Sequence, residues 1–274
     1  MKKKTIFWLC MSMVATTLIS AVYLNKTNTS DHENLYLKTV EFKAKDDDLI
    51  PVVVNFNSQV EIEREVGNYI DFMKSDQLSL YGLLPILSHD LEVKDVNIQN
   101  HILTICFNDV FDKNDNMAVI EALTYTMTRN VDVQEVKFVV SEKNGDEHQS
   151  VMSYTKDLGL NNFVETSSFL HQTKPIMVYK EKQVNQFSYY VPTTMRIDEN
   201  ETLYYQVQTI LNYINSKIHL IDASLKQGVL SVELDSNILL DNERIDKKME
   251  DLIVLSLMSI KDVEHVEIIV NKEQ

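Results

Sequence analysis

His101-Ile-Leu-Thr-Ile-Cys-Phe107 alternates large apolar with smaller side chains, and Gly228-Val-Leu-Ser-Val-Glu-Leu234 repeats the alternation 127 positions later. A period of two marks a strand that turns one face to a core. Leu103, Ile105 and Phe107 share that face in the first stretch, and Leu230, Val232 and Leu234 share it in the second. The other face carries Ile102, Thr104 and Cys106 against Val229, Ser231 and Glu233, so Cys106 stands at a glutamate position. The correspondence predicts a partly exposed face or edge. No histidine pattern activates the Cys106 thiol, so it reads as inert.

The repeat extends in both directions. Downstream, Val119, Ala122, Leu123 and Met127 have helical spacing and match Met249, Leu252, Ile253 and Leu257 at an offset of 130. A last strand then alternates Val136, Phe138 and Val140 against Val266, Ile268 and Val270. Upstream, Ile62, Val66, Tyr69, Ile70 and Met73 form an apolar stripe, repeated 141 positions later by Leu203, Val207, Ile210, Leu211 and Ile214. Ser58 with Glu61 has the spacing of a capping box, and Asp198 with Glu201 offers the matching cap. Hairpins are expected at 36–56 and 176–197, ahead of the helices, with Asp46-Asp-Asp48 as a solvated first turn.

Each copy therefore reads hairpin, helix, hairpin, helix, strand. The fold class expected is α+β: two tandem small α/β sandwich domains, helices on one sheet face, behind an N-terminal transmembrane helix. The boundaries are an anchor or signal segment at 1–24, a first domain at 36–141, a linker at 142–175 and a second, divergent domain at 176–274. The linker is polar around Gly145 and ends at Pro175, while Phe163, Val164, Phe169 and Leu170 suggest that part of it docks on a domain.

The copies differ in one place. The offset falls from 141 to 127 between the first helix and the next strand, so copy one carries about 14 extra residues within 75–90. Leu78, Leu80, Tyr81, Leu83, Leu84, Ile86 and Leu87 make this stretch unusually apolar for a loop. It is either a short helix covering an open end of the domain or a lip that touches a partner. On the second reading Leu80, Tyr81, Leu83, Leu84 and Ile86 form a candidate interface, and serine at Leu83 and Leu84 should weaken the contact and spare the fold. Thr124, Thr126 and Thr128 alternate in the second helix, as a face packed on the sheet or as a polar ladder at an interface.

The N-terminus sets the address. Lys2, Lys3 and Lys4 precede residues 5–24, a run of 20 without a charge and long enough to span hydrocarbon as a helix. The basic start keeps that end in the cytoplasm and puts the rest outside. Ile19 stands where a signal-peptide cleavage site wants a small residue, and Cys10 lies too early for a lipoprotein, so an uncleaved anchor is expected. Three of the 26 basic residues and none of the 41 acidic ones lie in the first 24 positions, which leaves 23 against 41 and a formal charge of −18 outside. That disfavours nucleic acid and anionic lipid surfaces as partners, and admits basic proteins. Cys106 is the single cysteine beyond the anchor, so no intramolecular disulfide forms there.

Catalytic patterns do not emerge. The seven histidines include no pair at i, i+3 or i, i+4, and five glycines leave no phosphate loop. With 41 acidic residues no pair of carboxylates is singled out for sugar hydrolysis. Neither a metal nor a cofactor is expected, and the chain reads as no enzyme.

Leu84-Pro85, the strand at 93–98, Leu103-Thr-Ile-Cys-Phe107, Ala122-Leu-Thr-Tyr-Thr-Met-Thr128 and Val133-Gln-Glu-Val-Lys-Phe-Val139 together resemble the GerMN domain of GerM-like sporulation and spore-germination proteins. The resemblance covers roughly 36–141. Copy two carries Leu255-Ser-Leu-Met-Ser259 in place of the threonine-rich segment and lacks the Leu-Pro loop. Ser141 stands where a glycine often follows the last strand. The resemblance implies paired non-enzymatic domains in the envelope of a spore-forming bacterium. Their partners would be envelope or sporulation-complex proteins, or further copies of this chain. The expected function is thus a membrane-anchored extracytoplasmic scaffold in sporulation, spore-envelope assembly or germination. Its rivals are a wall-binding or sensory module of growing cells and a peptidoglycan-acting enzyme.

Overall fold

The computed structural model describes residues 36–56, 61–108, 111, 117–140, 152–162, 171–240 and 244–271. The segment at 1–24, Ser58, and Phe163, Val164, Phe169 and Leu170 lie outside them. Among the described residues no helix is long and apolar enough to cross a membrane.

Copy one opens with the antiparallel hairpin β1 (Tyr36–Lys43) and β2 (Leu49–Phe56), Val40 opposite Val52 and Phe42 opposite Ile50. Helix α1 (Ile62–Met73) follows and buries Val66, Tyr69, Ile70 and Met73, the stripe its sequence draws. Glu61 holds its N-cap position but makes no side-chain cap bond, so half of the proposed capping box is corrected. Strands β3 (Val93–Gln99) and β4 (Ile102–Phe107) pair antiparallel. Helix α2 (Met117–Asn130) then crosses to β5 (Glu135–Val140), which lies parallel to β4. A further strand, β6 (Met152–Thr155), pairs antiparallel with β5 and completes a sheet of order β3-β4-β5-β6. The stretch expected to serve as linker thus supplies an edge strand to copy one.

Copy two repeats the plan with β7 (Thr173–Val184), β8 (Phe187–Asp198), α3 (Leu203–Ile214), β9 (Leu220–Lys226), β10 (Val229–Leu234), α4 (Lys247–Leu257) and β11 (His265–Val270). Its sheet has the order β11-β10-β9, with β10 and β11 parallel. Val207, Ile210 and Leu211 of α3 and Ile253 and Leu257 of α4 pack with Leu230, Val232 and Leu234 of β10. The cap of α3 is Thr202, whose hydroxyl accepts from the Tyr205 N–H, and not the Asp198 and Glu201 pair. Asp246 caps α4 by accepting from the N–H groups of Lys248 and Met249 at 3.1 Å each.

Chain contacts define two compact units. One holds copy one together with Lys182–Val191, the tip of the β7–β8 hairpin; the other holds Ser168–Glu181 and Pro192–Gln274.

The β3–β4 turn exposes a local strain. Asn100 and His101 both adopt left-handed backbone, with φ of 52° and 61°, as a two-residue turn of this type requires. Copy two meets the same demand with Gln227 and Gly228, at φ of 50° and 78°. Glycine adopts this conformation without the β-carbon clash, so His101→Gly is expected to stabilise the first unit by about 0.5–1 kcal/mol. Chemical denaturation of the two proteins side by side reads the difference.

Candidate functional site

The extra residues of copy one fold into a short 3-10 helix, Asp76–Tyr81, closed by Gly82 with φ of 79°. The stretch that follows is stitched to its neighbours by backbone. Leu84 N–H donates to Lys43 O at 2.7 Å, and Ile86 N–H donates to Met73 O at 3.0 Å. This stitching turns the apolar side chains inward. Leu78, Leu83, Ile86 and Leu87 are buried, whereas Leu80 alone of the candidate set projects, 83% exposed. Leu83 belongs to the core and Leu84 is half-buried, so the serine exchange at both is expected to cost stability as well as any contact.

Tyr81 faces the hairpin tip that joins this unit. Its ring lies 5.0 Å from that of Phe187, and its carbonyl accepts the Tyr189 hydroxyl at 2.8 Å. Burial, with Tyr81 adding to it, pushes the Tyr189 phenol up to about 12. Gly82 leaves no space for a side chain, since a β-carbon would stand 2.5 Å from Val184 Cγ1 and 2.7 Å from Asn185 Nδ2. Nor is the Asp46-Asp-Asp48 turn merely solvated. Lys182 pairs with both Asp46 and Asp48, and its hydrogen bond holds the Asp46 carboxyl below the usual range. The insertion thus gives the tip a seat and leaves Leu80 as its outward apolar residue.

The threonines occupy a different place. Helix α2 packs on β1 from one side and on β5 and β6 from the other, so every residue from Val119 to Met127 is buried. Thr126 Oγ1 accepts the Glu41 N–H at 3.2 Å, and Thr128 Oγ1 donates to Thr124 O at 2.7 Å. Thr124 is 3% exposed and Thr126 fully buried, which sets both inside the fold and not at an accessible surface. Asn130 extends the seam, its Oδ1 accepting from Thr39 N–H at 2.9 Å. In copy two Ser256 and Ser259 make the equivalent seam, accepting the N–H groups of Tyr179 and Met177 at 2.9 and 3.0 Å. Thr126 in α2, Ser256 in α4 and Ser259 just beyond α4 thus tie each helix to the first strand of its own copy's hairpin.

Charge is buried in the same layer. Glu41 is completely buried, with Oε1 2.7 Å from Arg129 Nη1 and Oε2 without a hydrogen-bond partner among the described residues. Burial raises the Glu41 carboxyl and Arg129 pulls it down, with burial prevailing. On the adjoining part of α2, Glu121 Oε2 accepts the Asn161 N–H at 3.0 Å. The Asn161 side chain in turn clasps Leu49, accepting from its N–H at 2.6 Å and donating to its carbonyl at 2.8 Å. Burial pushes Glu121 up to about 7; the Asn161 N–H opposes the rise and Glu41 adds to it. These residues escape a reading by periodicity. The available signal is a charge set between apolar neighbours, in Val40-Glu-Phe42 and Ile120-Glu-Ala122.

Both carboxylates are walled in and serve the packing of this layer. No group of three potential metal ligands occurs among the described residues. A folded-state value above the unfolded one means that native Glu121 holds its proton longer than the unfolded chain does. Its contribution is then full below about pH 4.5 and is lost as pH rises through about 7. Glu121→Gln keeps an acceptor for Asn161 and removes the titration. It is expected to be more stable than the natural protein by about 3 kcal/mol at pH 8, an advantage that vanishes near pH 4.5. Thermal unfolding of both proteins across that range measures it.

The architecture is that of two α+β domains in tandem, each built on the same plan. The fold is similar over 88% of this chain to the tandem GerMN domains of the sporulation protein GerM from Bacillus subtilis, covering 93% of that chain with a TM-score of 0.69 and 19% identity. The first GerMN domain of the same protein aligns with 41% of this chain over 85% of its own length, with 17% identity and a TM-score of 0.33. No family model matches the sequence, and no curated protein matches it.

Proposed function

We propose that this chain is a non-enzymatic, membrane-anchored scaffold with a sporulation-related role, its two domains working outside the membrane through contacts with envelope or sporulation-complex proteins. The observation that carries the reading is the extent of the likeness: nearly the whole tandem of the sporulation protein GerM is matched, and not a single domain. The uncharged run at 5–24 behind three lysines supports the anchor. The buried carboxylates Glu41 and Glu121 bind the fold's own elements, which supports a role without turnover. Leu80 is the outward apolar residue of the insertion and the candidate for a contact there.

The test is deletion of the gene in its host, with complementation by the natural chain and by Leu80→Ser. A drop in heat-resistant spores that the natural chain restores supports the reading. Normal sporulation combined with muropeptide release by the purified protein would replace it with a peptidoglycan-acting enzyme.

A further inference from the structure

We propose that the outer edge of β11 pairs with an extended, antiparallel partner strand whose apolar side chains continue the core layer and whose basic side chains lie on the opposite face. The two copies differ at this edge. In copy one β5 is flanked by β4 on one side and β6 on the other. In copy two β11, 130 positions later, closes the sheet, and no described strand pairs with its outer side. His265 and Asn271 donate their N–H groups to Gly228 and Leu234 on the β10 side. Backbone groups alternate along a strand, so those of Val266, Ile268 and Val270 point to the open edge. An unpaired edge of this kind is a template for another strand.

Strand β6 shows what such an edge takes. Tyr154 stands opposite Val136, and its ring lies 6.1 Å from that of Phe138, on the apolar face. Ser153 and Thr155 stand opposite Lys137 and Glu135, on the polar face. The equivalent apolar positions in β11 are Val266 and Ile268, and Ile268 is half-buried. An occupant therefore needs apolar side chains at every second residue.

Charge selects the other half of the pattern. Where copy one has Lys137, copy two has Glu267, exposed and accepting from Ser231 Oγ at 3.2 Å. Glu233 of β10 stands directly opposite Asp222 of β9, a like-charged cross-strand pair on the same face. Lysine or arginine opposite Glu267 would offset this concentration of negative charge. A second copy of the chain would add to it, since the formal charge is already −15. The inference deepens the scaffold reading and rests on it for the partner being a protein.

The probe is a capped peptide, Lys-Val-Lys-Val-Lys-Val, titrated by fluorescence anisotropy into the full chain in detergent micelles. A block peptide of the same composition, Lys-Lys-Lys-Val-Val-Val, and the alternating Glu-Val peptide serve as comparisons. The result expected is saturable 1:1 binding of the alternating basic peptide, at least about tenfold tighter than either comparison. Glu267→Lys, an exposed change, should reverse the preference toward the Glu-Val peptide. Ile268→Pro blocks the open edge without removing a bond to β10 and should abolish binding; if that variant fails to fold, Glu267→Lys decides alone. Equal binding of the block peptide, no binding, or indifference to Glu267→Lys would overturn the proposal. So would a chain that light scattering finds dimeric and that Glu267→Lys makes monomeric, since the edge would then belong to a second copy. The assay reads binding alone, so its failure and a failure of the sporulation reading are separable.

Discussion

Arg129→Met is expected to lower the stability of the first unit by about 3–5 kcal/mol at neutral pH, because it strands a buried carboxylate without its cation. Glu41 is 0% exposed, and the Arg129 contact at 2.7 Å is the ion pair that offsets its desolvation. Exchanging both members, as Glu41→Leu with Arg129→Met, should recover most of the loss, since the unpaired charge goes with its partner. The loss in the single variant should shrink as pH falls. Without Arg129 the Glu41 carboxyl rises further above its unfolded value, so protonation relieves the native state first. Urea unfolding of the natural protein, the single variant and the double variant at pH 5 and pH 8 tests each part.

Leu83→Ser should cost about 3–5 kcal/mol, combining a lost buried leucine with a hydroxyl placed among apolar neighbours. Leu83 is 1% exposed, held in place by the bond of Leu84 to Lys43. Leu80→Ser, three residues earlier and 83% exposed, should change stability by less than about 0.5 kcal/mol. The pair separates the two meanings of an apolar loop. Denaturation midpoints of the two variants decide between them: a large shift at Leu83 with none at Leu80 fits the structure, and the reverse contradicts it.

The repeated stripes were legible because burial on one side writes a period into a sequence. Ile62 to Met73 and Leu203 to Ile214 show it as helices, and Leu103 to Phe107 and Leu230 to Leu234 show it as strands. What escaped is whatever is buried on two sides. Strand β1 has Val40, Glu41 and Phe42 all buried, because α2 covers the face that alternation would give to solvent. Helix α2 is enclosed all round, so Thr124 and Thr126 look like a surface ladder in sequence and are internal in the fold. In the insertion a 3-10 turn and backbone stitching replace any simple period, so which leucine faces outward could not be counted off. Strand β6 was missed for a different reason. Four residues in a polar stretch carry too short a pattern to register, and β5 is what makes them a strand.

On the proposed function the chain would work at the membranes of sporulation. The measurement that bears on it most directly is the position of a fluorescent fusion, tagged at the N-terminus, through growth and sporulation of the host. Enrichment at the sporulation septum and around the forespore is the expected result. A uniform membrane signal in growing cells, unchanged on starvation, would contradict it and favour a wall-binding or sensory module.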